Sequence, residues 1–134
     1  MAAQGKEAAE VDAARLELGE DFAKAECLVM AEVAQRMRDR AERQAQDGGP
    51  AAPTHLVTKK AQLYAERFAK GFSPAAAHQV KADLAAAGLE PFEVAVVANL
   101  LPDDAETAES LQPSITSDPG ELQAALDKIG TLQY

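Results

Sequence analysis

The most constraining feature of the sequence is an apolar segment bounded by two prolines, Pro91 and Pro102. From Val94 to Leu101 the only polar side chain is Asn99. Proline is favoured in the first turn of a helix and cannot continue one, so we predict a helix from Pro91 to about Leu101. A helix that is apolar on nearly all sides lies in the centre of a core, or is covered partly by the core and partly by another chain.

Start and stop signals predict four further short helices around this one. The first runs from Thr54 to Gly71 and carries Val57, Ala61, Tyr64 and Phe68 on one face. The second runs from Ser73-Pro74 to Gly88, the third begins at Asp103 with Glu106, and the fourth runs from Asp118-Pro119 to Gly130. We therefore predict an all-α fold in which residues 54–134 form a bundle of five short helices.

A longer helix is predicted upstream, because Glu20 to Gln44 contains neither glycine nor proline. Its apolar residues follow one stripe, widened by Met30, that consists of Phe22, Ala25, Val29, Val33 and Met37. Residues 46–53 have the glycine and proline content of a linker. The helix is therefore expected to stand apart from the bundle and to dock a partner, within an arm-and-helix region at 15–45.

Residues 1–14 are predicted to be a mobile acidic tail. After them, Arg15 to Leu18 alternates polar and apolar residues. Four residues of period two are typical of a strand, and an isolated strand is unstable in water. Two interpretations remain open: Leu16 and Leu18 belong to a strand added to the sheet of another chain, or to a disordered lead-in.

Charge is unevenly distributed along the chain, which carries 13 basic and 22 acidic residues for a net charge of −9. Residues 22–72 hold nine basic and six acidic groups, net +3, whereas residues 73–134 hold two basic and ten acidic groups, net −8. The acidic block repels phosphate backbones. A nucleic-acid contact would have to come from the middle segment, where Arg36, Arg40 and Arg43 share a helix face; a solvated charged face is the alternative interpretation.

No catalytic or metal-binding pattern is present. His55 and His78 lack ligand spacing, and Asp103 follows Pro102 where a helix cap is required. No glycine-rich phosphate loop precedes a helix. The buried amide of Asn99 is expected to bond backbone at a neighbouring turn. We predict no active site, no cofactor and no metal.

The compartment is predicted from three absences. Cys27 is the single cysteine, which excludes an internal disulfide. No run approaches the roughly 20 apolar residues of a membrane span. The N-terminus lacks the pattern of a signal peptide. A soluble intracellular protein that does not contact membranes is expected.

The string FEVAVVANLLPDDAETAESLQPS, residues 92–114, resembles the signature of the fourth subunit of eukaryotic RNA polymerase II, a family with archaeal and polymerase III relatives. The matching positions are Phe92, Glu93, Ala98, Asn99, Leu100, Pro102, Glu106, Ala108, Leu111, Pro113 and Ser114. Tyr64, Arg67 and Phe68 match a Tyr-x-x-Arg-Phe element, and residues 16–33 resemble the plant type. The likeness covers about residues 15–134; Leu101 departs from it, since the family often has cysteine there.

The resemblance implies a helical domain similar to the HRDC fold at 54–134. It also implies a non-catalytic nuclear subunit that forms a stalk heterodimer with the seventh polymerase subunit, beside the RNA exit channel, where core polymerase, nascent RNA and transcription factors are the further partners. The predicted partner-binding residues are Leu16, Leu18, Phe22, Ala25, Val29, Met30, Val33, Met37, Leu100 and Leu101. The candidate RNA contacts are Arg36, Arg40, Arg43, Lys59, Lys60, Arg67 and Lys70. Two alternatives stay open: a free-standing HRDC-type nucleic-acid-binding module, and the equivalent subunit of a paralogous nuclear polymerase.

Overall fold

The computed structural model describes residues 10–48, 55–69 and 71–132. The helices are α1 (Met30–Gln46), α2 (Leu56–Arg67), α3 (Pro74–Ala86), α4 (Pro91–Leu100), α5 (Ala105–Leu111) and α6 (Pro119–Gly130). The described residues form no sheet, and their one β-bridge pairs Asp12 with Glu17. The predicted all-α fold is confirmed.

Polar side chains fix the starts of three helices. The Ser73 hydroxyl accepts a hydrogen bond from the Ala76 N–H at 3.1 Å, and Asp118 Oδ1 accepts from the Gly120 N–H at 2.8 Å. Both caps agree with the sequence prediction. For α5 the predicted cap was one residue too early, because Asp104, and not Asp103, accepts from the Thr107 N–H at 2.7 Å.

The core lies where α3 packs against α4 and α6, and α5 packs against α6. Its largest fully buried side chains are Leu84, Leu122, Ile129, Val80 and Val97. Alanines fill many of the remaining buried positions: Ala31, Ala77, Ala87, Ala98, Ala105, Ala108 and Ala125. Since alanine has no side chain beyond Cβ, helices meeting at these positions can approach closely.

Helix α1 begins at Met30, so the predicted start at Glu20 is wrong. Residues 21–24 form a turn and residues 25–29 are not helical, which removes Phe22 and Ala25 from the helical stripe. A tertiary interaction accounts for the difference, because the Lys81 ammonium donates to the Cys27 carbonyl at 3.2 Å. The non-helical segment also places Val29 in the core, where it is buried.

Helix α1 does not stand apart from the bundle, contrary to the prediction. It packs against α2 and α3, and Ala31 and Ala34 in its first turns are buried. The predicted linker at 46–53 lies mostly outside the described residues. The next helix along the chain, α2, pairs with α1 rather than with the core helices.

Within the described residues, Leu16 and Leu18 do not lie in a strand, and their addition to the sheet of another chain stays a prediction. A 3₁₀ turn at Ala13–Arg15 ends at Leu16, which has a left-handed φ of 60°. Asp12 and Glu17 then pair through two backbone hydrogen bonds of 2.8 and 2.9 Å. Of the part of the predicted tail that is described, residues 12–14 are therefore folded into this turn.

Candidate partner-docking surface

The start of α1 is fixed to the core by Asn99 of α4. The Asn99 side-chain oxygen accepts a hydrogen bond from the Met30 N–H at 2.9 Å. The first backbone N–H groups of a helix have no partner within the helix, so this bond satisfies one of them. Asn99 does bond backbone, as predicted, but the partner is 69 residues away in sequence and not at a neighbouring turn.

Two charged residues complete this junction. Glu32 accepts from the Val29 N–H at 2.9 Å, and its carboxylate also pairs with the Lys81 ammonium of α3 at 3.1 Å. The side chains of Lys81 and Glu32 are 23% and 18% exposed, so the pair is partly shielded from water. Glu32 thus links the start of α1 to a lysine that lies 49 residues away in sequence.

The Phe92–Ser114 segment contains a buried chain of hydrogen bonds. Glu93 is 3% exposed and Gln112 is 4% exposed. The Glu93 carboxylate accepts from the Glu90 N–H at 2.8 Å and from the Ser114 hydroxyl at 2.6 Å. The Gln112 amide donates to the Ser114 oxygen at 2.9 Å and to the Ala13 carbonyl at 2.7 Å. This segment therefore reaches the N-terminal arm, residues 10–29.

The arm presents apolar side chains to solvent. Phe22 and Val11 are both exposed, at 67% and 63%. Leu16 and Leu18 are half-buried, and Ala25 is exposed. The arm thus brings an aromatic ring to the surface without the helix that the sequence predicted for it.

The other predicted partner-binding residues divide between surface and interior. Leu100 at the end of α4 is exposed, whereas Val29 is buried and Leu101 packs against the core. Val29 and Leu101 therefore serve internal packing in this chain. Met30, Val33 and Met37 are half-buried along α1.

Five large exposed apolar side chains lie on α2 and on Phe68 directly after it, and the sequence reasoning did not predict their exposure. They are Leu56 at 66% exposed, Val57 at 79%, Leu63 at 57%, Tyr64 at 57% and Phe68 at 39%. We call these five residues the α2 face. Residues four and seven apart share one side of a helix, so Val57, Tyr64 and Phe68 form one row, and Leu56 and Leu63 form the adjacent row. The 3.6-residue period identified an apolar face here, but it could not show that Ala65 alone would be buried.

Aromatic and cationic groups adjoin on this face. The rings of Tyr64 and Phe68 lie 4.7 Å apart between centroids, tilted by 45°. The Arg67 guanidinium carbon lies 5.6 Å from the centroid of the Phe68 ring, within range of a cation–π contact. The α2 face therefore has a basic edge.

The candidate RNA contacts that the structure describes lie on the neighbouring helices α1 and α2. Arg36 pairs with Glu26 of the arm at 3.4 Å, and Arg43 Nε donates to the Asp39 carbonyl at 3.3 Å. Arg40, Lys59 and Lys60 are exposed, as is Arg67. Lys70 lies outside the described residues.

An open cleft of about 530 Å³ separates the arm from α3 and the start of α4. Ala25 and Cys27 line one side, and Ala82, Leu89 and Val94 line the other. His78 also lines the cleft and is exposed, and His55 is exposed directly before α2. The cleft is an apolar depression beside the arm.

Two carboxyl groups have lowered pKa values. The hydrogen bond from Lys128, at 2.8 Å, lowers the pKa of Asp83 against the opposing effect of burial. The bond from the Thr107 backbone N–H lowers the pKa of Asp104. Both groups tie helices together or cap them, which is a structural task.

Within residues 10–48, 55–69 and 71–132, no group of three acidic, cysteine or histidine side chains is arranged to hold a metal ion. None of the helices in those ranges combines the length and apolarity needed to cross a bilayer.

Comparison with known proteins identifies the family of this chain. Residues 27–133 match the family described as RNA polymerase Rpb4. A relative in Arabidopsis thaliana, DNA-directed RNA polymerase II subunit 4, is 34% identical over 107 residues, covering 79% of this chain and 78% of the relative. The subunit rpb4 of Schizosaccharomyces pombe is 31% identical over 126 residues, covering 92% and 93%. That of Dictyostelium discoideum is 39% identical over 75 residues, covering 55% and 48%.

The family match includes the apolar helix, the buried hydrogen bonds of Phe92–Ser114, and both helices of the α1–α2 pair. The resemblance read from the Phe92–Ser114 motif is confirmed. The chain belongs to the RNA polymerase Rpb4 family.

Proposed function

We propose that this chain is a non-catalytic, nuclear subunit of RNA polymerase II that forms a stalk heterodimer with the seventh subunit. The observation that carries the proposal is the α2 face, because five large apolar side chains on one short helix are exposed in the chain alone. Contiguous exposed apolar surface rimmed by polar groups is typical of a protein interface.

The composition of the α2 face supports a protein partner. Tyrosine, phenylalanine and arginine are enriched in the centres of protein interfaces, and Tyr64, Phe68 and Arg67 adjoin here. The aliphatic Leu56, Val57 and Leu63 offer no hydrogen bonds, so burial against another apolar surface is the interaction they favour.

The arm supplies a second contact region. Phe22 and Val11 are exposed, and the arm is joined to α1 through Val29. The family match begins at residue 27, so most of the arm lies before it. We infer that the arm and the α2 face bind the same partner, which then buries more surface than either region could alone.

The proposal is tested by co-expression with the seventh subunit from the same organism. Val57→Asp and Leu63→Glu place a charge on the α2 face, and each is expected to lower the affinity at least tenfold, measured by isothermal titration calorimetry. Leu111→Glu is the matched control, since Leu111 is an exposed leucine on α5. Equal effects of all three variants, or no binding by the unmodified chain, would contradict the proposal.

RNA contact is a second candidate function, favoured by the exposed cations Arg40, Lys59, Lys60 and Arg67, of which Arg67 lies beside the Phe68 ring. Cations that follow a phosphate backbone and rings that stack on bases are the usual means of binding single strands. Fluorescence anisotropy with a single-stranded RNA on the heterodimer tests it. Arg40→Gln and Lys59→Gln are expected to weaken binding and to reduce its salt dependence; unchanged binding would assign the contact to other residues.

The likeness of the helical domain at 54–134 to the HRDC fold, and the choice between RNA polymerase II and a paralogous nuclear polymerase, remain parts of this proposal. Purification of the tagged chain from its own cells, with identification of the largest subunit that accompanies it, decides between the polymerases.

A further inference from the structure

The N-terminal arm contributes little to the hydrophobic core. No side chain from residue 10 to residue 28 is fully buried, and only Val29 at the end of the arm enters the core. Backbone bonds between Asp12 and Glu17 close the turn on itself but do not join it to the domain. Side-chain hydrogen bonds from the domain therefore contribute to the position of the turn, in addition to the partial burial of Leu16 and Leu18.

Gln112 provides such a bond from a buried position. It is 4% exposed, and its amide nitrogen donates to the Ala13 carbonyl at 2.7 Å. The same carbonyl accepts from the Leu16 N–H at 3.2 Å, within the turn. One acceptor is thus shared between the internal bond of the turn and the bond to the domain.

The orientation of the Gln112 amide is determined by its neighbours. The Ser114 hydroxyl donates its proton to the Glu93 carboxylate at 2.6 Å, so its oxygen can only accept from Gln112. Glu93 is itself held by the Glu90 N–H at 2.8 Å. The amide nitrogen must therefore face Ser114 and Ala13. A buried N–H of Gln112 thus donates a hydrogen bond to the arm.

We propose that Gln112 is a positioning residue that anchors the arm to the helical domain and so preorganises Val11 and Phe22 for a protein partner. The anchoring itself depends only on the contacts above, whereas the effect on a partner rests on the proposed function. Since ordering a flexible segment opposes binding, a segment that is already anchored binds more tightly.

Hydrogen exchange of the isolated full chain tests the anchoring. Gln112→Leu keeps the approximate volume and removes the donor. Because the Ala13 carbonyl belongs to the turn that Asp12 and Glu17 close, loss of its bond to Gln112 is expected to loosen this turn and to speed exchange of the Asp12 and Glu17 amides about fivefold, the effect of losing one hydrogen bond. Val97→Ala is the control, because it reduces core packing in α4 without touching the arm. It should lower the melting temperature but leave these two amides unchanged. Equal exchange in Gln112→Leu and the unmodified chain would overturn the anchoring.

Calorimetric titration with the seventh subunit tests the preorganisation. Gln112→Leu is expected to bind about fivefold more weakly, the same loss of one hydrogen bond, and Val97→Ala is expected to bind normally at a temperature where it is folded. An unchanged or higher affinity of Gln112→Leu, combined with faster exchange, would overturn the preorganisation. If the unmodified chain does not bind the seventh subunit, the proposed function fails, while the exchange measurement still decides the anchoring.

Discussion

The Asn99 side-chain oxygen lies 2.9 Å from the Met30 backbone nitrogen and caps the first turn of α1 from the end of α4. Val29, the residue at the cap position itself, has no side chain that could do this. Asn99 is the polar residue of an otherwise apolar α4 because it caps the start of α1, which is distant in sequence.

Asn99→Ala removes this acceptor and leaves a half-buried N–H without a partner. We expect the free energy of unfolding to fall by about 1–3 kcal/mol, measured by urea denaturation. Asn99→Asp keeps an acceptor at the positive end of a helix and should retain most of the stability. If Asp and Ala were equally destabilising, the capping role of Asn99 would be refuted.

Lys81 and Glu32 join α3 to the start of α1, and because the pair is partly buried, water screens their attraction less than at a fully exposed site. A double-mutant cycle with Lys81→Met and Glu32→Gln is expected to give a coupling of about 0.5–1 kcal/mol. Lys81→Met alone should have the larger effect, because it also removes the bond to the Cys27 carbonyl. A coupling near zero would mean that the two residues stabilise the chain independently.

The bond between Lys128 and Asp83 predicts a dependence of stability on pH. Because the Lys128 hydrogen bond lowers the pKa of Asp83, the folded state binds this proton more weakly than the unfolded state. The stabilisation is present above the unfolded pKa and is lost as the pH falls through the lowered folded value. Asp83→Asn should therefore unfold more easily at pH 7, and its difference from the unmodified chain should close in strong acid.

Chemical denaturation at several pH values measures this difference. Lys128→Met should show the same closure, since it removes the other partner of the bond. If the free energies of unfolding of Asp83→Asn and the unmodified chain still differed in strong acid, where the carboxyl group is protonated, the stabilisation would come from packing and not from charge.

The sequence predicted Asp103 as the cap of α5, whereas Asp104 is the cap in the structure. Only Asp104 bonds the Thr107 N–H, so Asp104→Ala is expected to lower the melting temperature more than Asp103→Ala does. Differential scanning calorimetry on the two variants makes the comparison. The reverse order would restore the cap that the sequence predicted.

Local signals predicted most of the helical domain. Ser73-Pro74 and Asp118-Pro119 carry the information for a helix start within two or three residues, and the structure places α3 and α6 there. The apolar segment between Pro91 and Pro102 likewise formed α4. Such features are predictable because the groups that determine them are adjacent in sequence.

The start of α1 was not predictable in the same way. Its position depends on Lys81, Asn99 and the burial of Val29, all of which involve contacts distant in sequence or packing in the core. The exposure of the α2 face was not predictable for the same reason, because it depends on contacts distant in sequence. Periodicity identifies an apolar side of a helix, but which elements cover that side is decided by the whole fold.

The alanines of the core have a consequence for how the sequence can change over evolutionary time. At Ala77, Ala98 and Ala108 the neighbouring helices are already in contact, so a larger residue would force them apart, at a cost of about 1–3 kcal/mol. At buried leucine or valine positions, a smaller apolar residue lowers the free energy of unfolding by an amount that depends on the volume lost. We expect substitutions to accumulate on the acidic outer surface, while the small residues between helices stay small.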